Sequence, residues 1–228
     1  MTDIPGGPMA NRPVTFFWLL DCSSSMIENG KISTLNFAVK EAIPEMRRVA
    51  DDNPTAALMV RTLTFATGAR WHRGPATRVA DFTWGDVTAG GVTDLGAALR
   101  LLAGELRTPP MPYRALPPVL ALVSDGQPTD DWRGGLEEVD ATPWGQHAVR
   151  VAIAVGQDAD RAMLQEFLAN PEAHPLEANN PRALTAAIRW TSTVAVKVAS
   201  AARDRPLPGP ENPLEPPTLV TSDEDEVW

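Results

Sequence analysis

Seven residues near the start of the chain, Val14 to Leu20, read VTFFWLL and then break off into Asp21, Cys22 and three serines. A run this continuously apolar, rich in β-branched and aromatic residues, predicts a strand buried on both faces. Strands of that kind belong to parallel sheets with helices packed on either side. Open sheets of this type bind ligands beyond the carboxyl ends of their strands. The acid and hydroxyls after Leu20 therefore stand at a binding edge, and the question is what those oxygens hold.

The rest of the chain repeats the strand–helix rhythm. Asn29-Gly30 reads as a turn, and Ile32, Leu35, Val39, Ala42, Ile43, Met46 and Val49 follow at helical spacing, with a kink expected at Pro44. Ala56 to Ala66 reads as a second strand, Arg70 to His72 as a short third, Pro118 to Gly126 and Ala148 to Gly156 as two more. Asp94 to Arg107 is helical with Asp94 as its N-cap, and helices are expected again over 158–169 and 181–200. Alternation of this kind predicts an α/β fold, a doubly wound, mostly parallel sheet flanked by helices. The expected organisation is an N-terminal extension over 1–13, a domain over 14–202 and a tail over 203–228. That tail holds six prolines, seven acids and two bases in its 26 residues, a composition that predicts disorder.

Bulk properties narrow the function. With 43% hydrophobic residues in 228, the chain has the material for one α/β core of ordinary size. A net charge of -9, with no basic face visible in the sequence, argues against a nucleic-acid partner. One cysteine, Cys22, rules out an internal disulfide framework and fits a reducing compartment. The first residues lack a basic start and apolar core, and no apolar run reaches the roughly 18–20 residues that span a bilayer. A cytoplasmic protein with no membrane partner is expected.

Three separated elements carry the chemistry. Asp21, Ser23 and Ser25 alternate on the loop after the first strand; Thr93 lies in the glycine-loosened AGGVTDLG; Asp125 ends the strand-like VLALVSDG. A parallel sheet brings all three loops to one edge. They offer two carboxylates and three hydroxyls, hard oxygen donors that suit Mg²⁺ or Mn²⁺ above a soft metal. Two carboxylates would balance a divalent ion, and water or another molecule's oxygen would complete its shell. The competing account is a polar turn with helix caps, which explains DCSSSM alone but not its register with Thr93 and Asp125. Asp130 and Asp131 read as loop-solvating residues or caps of the following helix. Cys22 has no nearby histidine to make it a nucleophile, and His72, His147 and His174 lie on separate elements. Neither a phosphate-binding glycine loop nor a G-x-S-x-G elbow is present.

The pattern D-x-S-x-S, a Thr in a Gly-rich loop and a later Asp-Gly resembles the metal-ion-dependent adhesion site of von Willebrand factor A (vWA) domains, whose fold is Rossmann-like. All five ligand positions find a match in Asp21, Ser23, Ser25, Thr93 and Asp125. Within the family, SDGQPTDDW looks most like the TerY-type proteins of bacterial tellurium-resistance systems. The resemblance implies a divalent cation, Mg²⁺ first with Mn²⁺ and Ca²⁺ left open, held by some ligands directly and by others through water. It implies metal-dependent protein recognition without catalysis, the partner supplying an Asp or Glu, and a kinase and a phosphatase as partners. The enzyme alternative is a Mg²⁺-dependent phosphoester hydrolase built on the same oxygens.

Overall fold

Alternate residues of strand β1 (Arg12–Asp21) enter two different cores. Val14, Phe16, Trp18 and Leu20 join one hydrophobic cluster, and Phe17 and Leu19 join the other. The two-residue period of a strand sends successive side chains to opposite faces, so both faces of β1 are covered, as its unbroken apolar sequence requires. The computed structural model describes residues 12–53 and 56–197. Of the extension expected over 1–13, Arg12 and Pro13 belong to β1; the rest of it and the tail over 203–228 lie outside the described residues.

A short 3₁₀ segment (Ser24–Gly30) follows β1 and leads into helix α1 (Lys31–Asp51). Next come β2 (Ala56–Ala66), β3 (Gly68–Trp71), β4 (Thr77–Arg78), α2 (Leu95–Glu105) and β5 (Val119–Ser124). The remainder is α3 (Trp132–Asp140), α4 (Pro143–Gln146), β6 (Val149–Val155), α5 (Arg161–Leu168), β7 (Leu176–Ala178) and α6 (Pro181–Trp190). The sheet order is β3-β2-β1-β5-β6-β7, with β4 also pairing β2. Strands β1, β2, β5, β6 and β7 run parallel, while β3 and β4 are antiparallel to β2. The fold class is therefore α/β with a mostly parallel sheet.

One face is covered by α1 and α6 through Leu35, Val39, Ile43, Leu184 and Ile188. The other is covered by α2, α3 and α5 through Leu99, Leu102, Leu136, Leu164 and Phe167. Pro44 lies inside α1 without interrupting it. The helix expected over 181–200 is α-helical to Trp190, passes into a π-helical turn (Thr191–Ala195) and is α-helical again at 196 and 197, the last described residues. The reason is local: the hydroxyls of Thr191, Ser192 and Thr193 donate back to the carbonyls of Ala187, Ile188 and Arg189 at 2.8, 2.6 and 3.0 Å. Strands β4 and β7, two and three residues long, are too short to leave a pattern in the sequence.

The sheet order places β2 on one side of β1 and β5 on the other. That reversal opens a crevice between the carboxyl ends of β1 and β5, the position where doubly wound sheets bind ligands. Asp21 ends β1 there, and Ser124 and Asp125 lie at the end of β5.

Candidate metal centre

The loop after β1 is built by hydrogen bonds that turn its polar atoms inward. Cys22 N–H donates to Phe65 O at 2.8 Å, extending the strand pairing by one residue. Ser23 N–H then donates to Asp21 Oδ1 at 2.8 Å, an Asx turn that bends the chain over its own carboxylate. Ser24 binds Gly91 O through both its N–H and its hydroxyl, at 3.1 and 2.8 Å. That contact fastens the serine loop to the glycine-rich loop carrying Thr93. The turn at Asn29-Gly30, both left-handed, aims α1 back along the sheet.

Three of the five oxygen-bearing side chains form one chain of contacts, and Asp21 meets it through the backbone N–H of Ser23. Ser23 Oγ lies 2.9 Å from Ser25 Oγ, and Ser25 Oγ donates to Asp125 Oδ1 at 2.7 Å. Asp21 is fixed further by Ser124, whose hydroxyl donates to Asp21 Oδ2 at 2.6 Å. Thr93 completes the ring around Gly126. A Cβ placed on that glycine would lie 3.4 Å from Thr93 Oγ1, 3.6 Å from Ser25 Oγ and 3.9 Å from Asp21 Oδ2. Oxygens from three separate loops thus lie within 4 Å of one point beside Gly126. Asp21, Ser23, Thr93 and Asp125 are all buried, and half-buried Ser25 is the outermost.

Burial dominates the electrostatics. It pushes the Asp21 carboxyl up to about 6 from its ordinary 3.8, against the lowering effect of hydrogen bonds from Ser124 and Ser23. The buried Cys22 thiol is pushed up to about 12, first by burial and then by neighbouring Asp21. It is neither a thiolate nucleophile nor a thiolate ligand at neutral pH.

Several residues at this edge escaped the sequence reading. Lys31, the first residue of α1, sends Nζ to within 2.8 Å of Asp125 Oδ2, with side-chain exposures of 7% and 0%. The expected balance of two carboxylates against one divalent ion is thus incomplete, because one carboxylate already has a cation. A signal was available: a lysine at a helix N-terminus opposes the macrodipole and needs a compensating anion. Asp130 was expected to solvate its loop or cap the helix that follows; it caps the preceding helix instead. Its carboxylate accepts the amides of Gly96 and Ala97, both at 2.8 Å, at the start of α2. Asp94, assigned as the cap of that helix, occupies the N-cap position but makes no capping bond. It accepts from Gly68 N–H at 2.7 Å and Thr129 Oγ1 at 2.9 Å instead, tying β3 and the Asp125 loop to the Thr93 loop. Asp131 does cap α3, through Gly134 N–H.

The donor chemistry fits a hard cation. The pocket presents carboxylate and hydroxyl oxygens from three loops around Gly126. Among the described residues there is no cluster of three His, Cys, Asp or Glu that would suit a softer metal. The three histidines make separate contacts, with Gly85 O, Pro143 O and Gln165 Oε1.

No family model matches the sequence, and no curated protein matches it. Solved structures do match the fold. The ArnB paralog VWA2 from Sulfolobus acidocaldarius superposes with a TM-score of 0.58 and 15% identity over 79% of this chain and 45% of its own. A von Willebrand factor type A protein from Catenulispora acidiphila gives 0.56 and 19% identity, over 82% of this chain and 43% of its own. Proximal thread matrix protein 1 from the mussel byssus, with a zinc-occupied metal-ion-dependent adhesion site, gives 0.60 and 16%, over 82% of this chain and 48% of its own. The chain spans less than half the length of each of these three. The α/β architecture with its mostly parallel sheet is that of vWA domains. No helix among the described residues is long and apolar enough to cross a membrane.

Proposed function

We propose that this chain is a metal-dependent protein-recognition module. Asp21, Ser23, Ser25, Thr93 and Asp125 hold a divalent cation, Mg²⁺ first among the hard ions, and a carboxylate of a partner protein completes its shell. The observation that carries this reading is the convergence of hydroxyls and carboxylates from three distant loops around Gly126. Hydroxyl ligands add no charge, so the cation stays electrophilic toward an incoming anion.

The surroundings support a protein ligand. Ile27 and Val92 are 58% and 45% exposed, and they sit on the loops that bear Ser25 and Thr93. Exposed apolar side chains beside a charged centre offer area that a partner can bury. The zinc-occupied adhesion site of the byssus protein is a precedent for cation binding on this fold. The likeness of SDGQPTDDW to TerY-type proteins points further, to a kinase and a phosphatase of a bacterial stress response as partners, in a reducing cytoplasm.

The test is calorimetric titration with MgCl₂ of the parent and of the Ser23→Ala, Ser25→Ala double variant, followed by capture of partners with and without EDTA. Mg²⁺ binding and EDTA-reversible capture by the parent alone are expected. Capture unaffected by EDTA and by the double substitution overturns the reading, and Mg²⁺-dependent turnover of p-nitrophenyl phosphate would replace it with a hydrolase.

A further inference from the structure

The Lys31–Asp125 ion pair lies inside the proposed centre, and nothing in a simple oxygen cage requires it. Its two members are 94 residues apart in sequence and nearly inaccessible. The slot that holds the ammonium is shaped for it. Gly156, just beyond β6, has φ +80°, and a Cβ there would come within 3.3 Å of Lys31 Nζ and 3.4 Å of its Cε. A side chain at 156 would therefore be strained by the backbone and would press on the lysine.

Both oxygens of Asp125 are committed. Oδ2 accepts from Lys31 at 2.8 Å and Oδ1 accepts from Ser25 at 2.7 Å. A cation shared with Ser25 would meet this carboxylate at Oδ1, while the ammonium remains at Oδ2. Two carboxylates, one ammonium and a divalent ion leave the loaded centre with one positive charge in a buried setting. One carboxylate from outside cancels it.

Resting on the metal-binding reading above, we propose that Lys31 is a specificity-determining residue that couples the two binding events. It weakens cation binding when no anion is present and makes cation and carboxylate bind cooperatively. Without Lys31 the centre would be neutral once loaded and would hold its metal regardless of a partner. With it, the metal is retained best where a monoanion arrives, which links metal occupancy to partner binding.

The experiment is Mg²⁺ titration at about pH 8, in sodium acetate and in sodium chloride of equal ionic strength, on the parent, Lys31→Gln and Lys31→Met. The parent is expected to bind Mg²⁺ more tightly in acetate than in chloride. Removing a charge this close is expected to tighten Mg²⁺ binding in chloride by about tenfold in both variants and to abolish the acetate gain. Thermal melts supply a second readout, in which Mg²⁺ raises the melting temperature of Lys31→Gln by more than it raises that of the parent. Variants that bind Mg²⁺ no more tightly than the parent, or that keep its acetate gain, overturn the role of Lys31. A parent that binds no Mg²⁺ in either salt overturns the metal reading itself.

Discussion

Asp130 receives the backbone amide of Gly96 at 2.8 Å across 34 residues of chain, and its second oxygen receives Ala97 at the same distance. The start of α2 is thus capped from a neighbouring loop, and that loop also carries Asp125. Thr129 N–H donates to Thr93 O at 2.9 Å beside it, and Thr93 N–H donates back to Thr129 Oγ1 at 3.2 Å. Two of the three loops of the centre are therefore held together by α2's own unsatisfied amides.

Asp130→Ala removes both bonds and the favourable charge at the helix start. It should cost about 1–2 kcal/mol of stability in urea denaturation, the usual scale for losing an N-cap. It should also weaken Mg²⁺ binding, because Thr93 loses its fixed position relative to Asp125. Equal metal affinity in variant and parent would show that the loops keep their register without the cap.

Ser23→Ala with Ser25→Ala should remove metal binding and leave a single cooperative melt. The two clusters on either side of the sheet are continuous without these serines, so folding does not depend on the metal as it does in a small zinc module. A chain that unfolds when divalent ions are chelated would contradict this.

At Asp125 and Thr93 the consequences should diverge. Asp125→Ala removes metal affinity and also leaves Lys31 buried without its anion, a change expected to cost about 3 kcal/mol or more. Thr93→Ser keeps the hydroxyl and should change Mg²⁺ affinity by less than about tenfold. Calorimetric titration and denaturant melts on both variants check the order; Asp125→Ala with the parent's affinity would remove it from the site.

The pH dependence follows from Asp21, whose carboxyl is raised to about 6 by burial. The metal-free fold binds this proton more tightly than the unfolded chain does. Asp21 therefore adds stability as pH falls through 6 toward 3.8, and its buried charge is a cost above 6. Cation and proton compete for the same oxygens, so apparent Mg²⁺ affinity should fall about tenfold between neutral pH and pH 5. Affinity flat over that range would mean Asp21 is ionised throughout and its burial is compensated by another group.

The candidate oxygens were legible because their signals are local. VTFFWLL announces a doubly covered strand through composition alone, and an acid and serines at its end can be named without knowing where the neighbouring strands lie. Thr93 and Asp125 were legible for the same reason, each standing next to a readable helix start or strand end. The change from α- to π-helix was less legible: three successive hydroxyls at 191–193 bond back to backbone carbonyls, and the apolar periodicity continues past them unchanged.

The sequence by itself determined the strand–helix alternation, the faces of β1 and which oxygen-bearing residues are candidates, because each rests on periodicity or composition within a few residues. Only the tertiary structure decided that Lys31 neutralises Asp125, that Asp130 caps α2 and that Asp94 ties two loops together instead of capping. Those choices depend on which buried donor meets which acceptor across the crevice between β1 and β5. A buried charge takes whatever partner the packing brings within about 3 Å, however far away it lies in the chain.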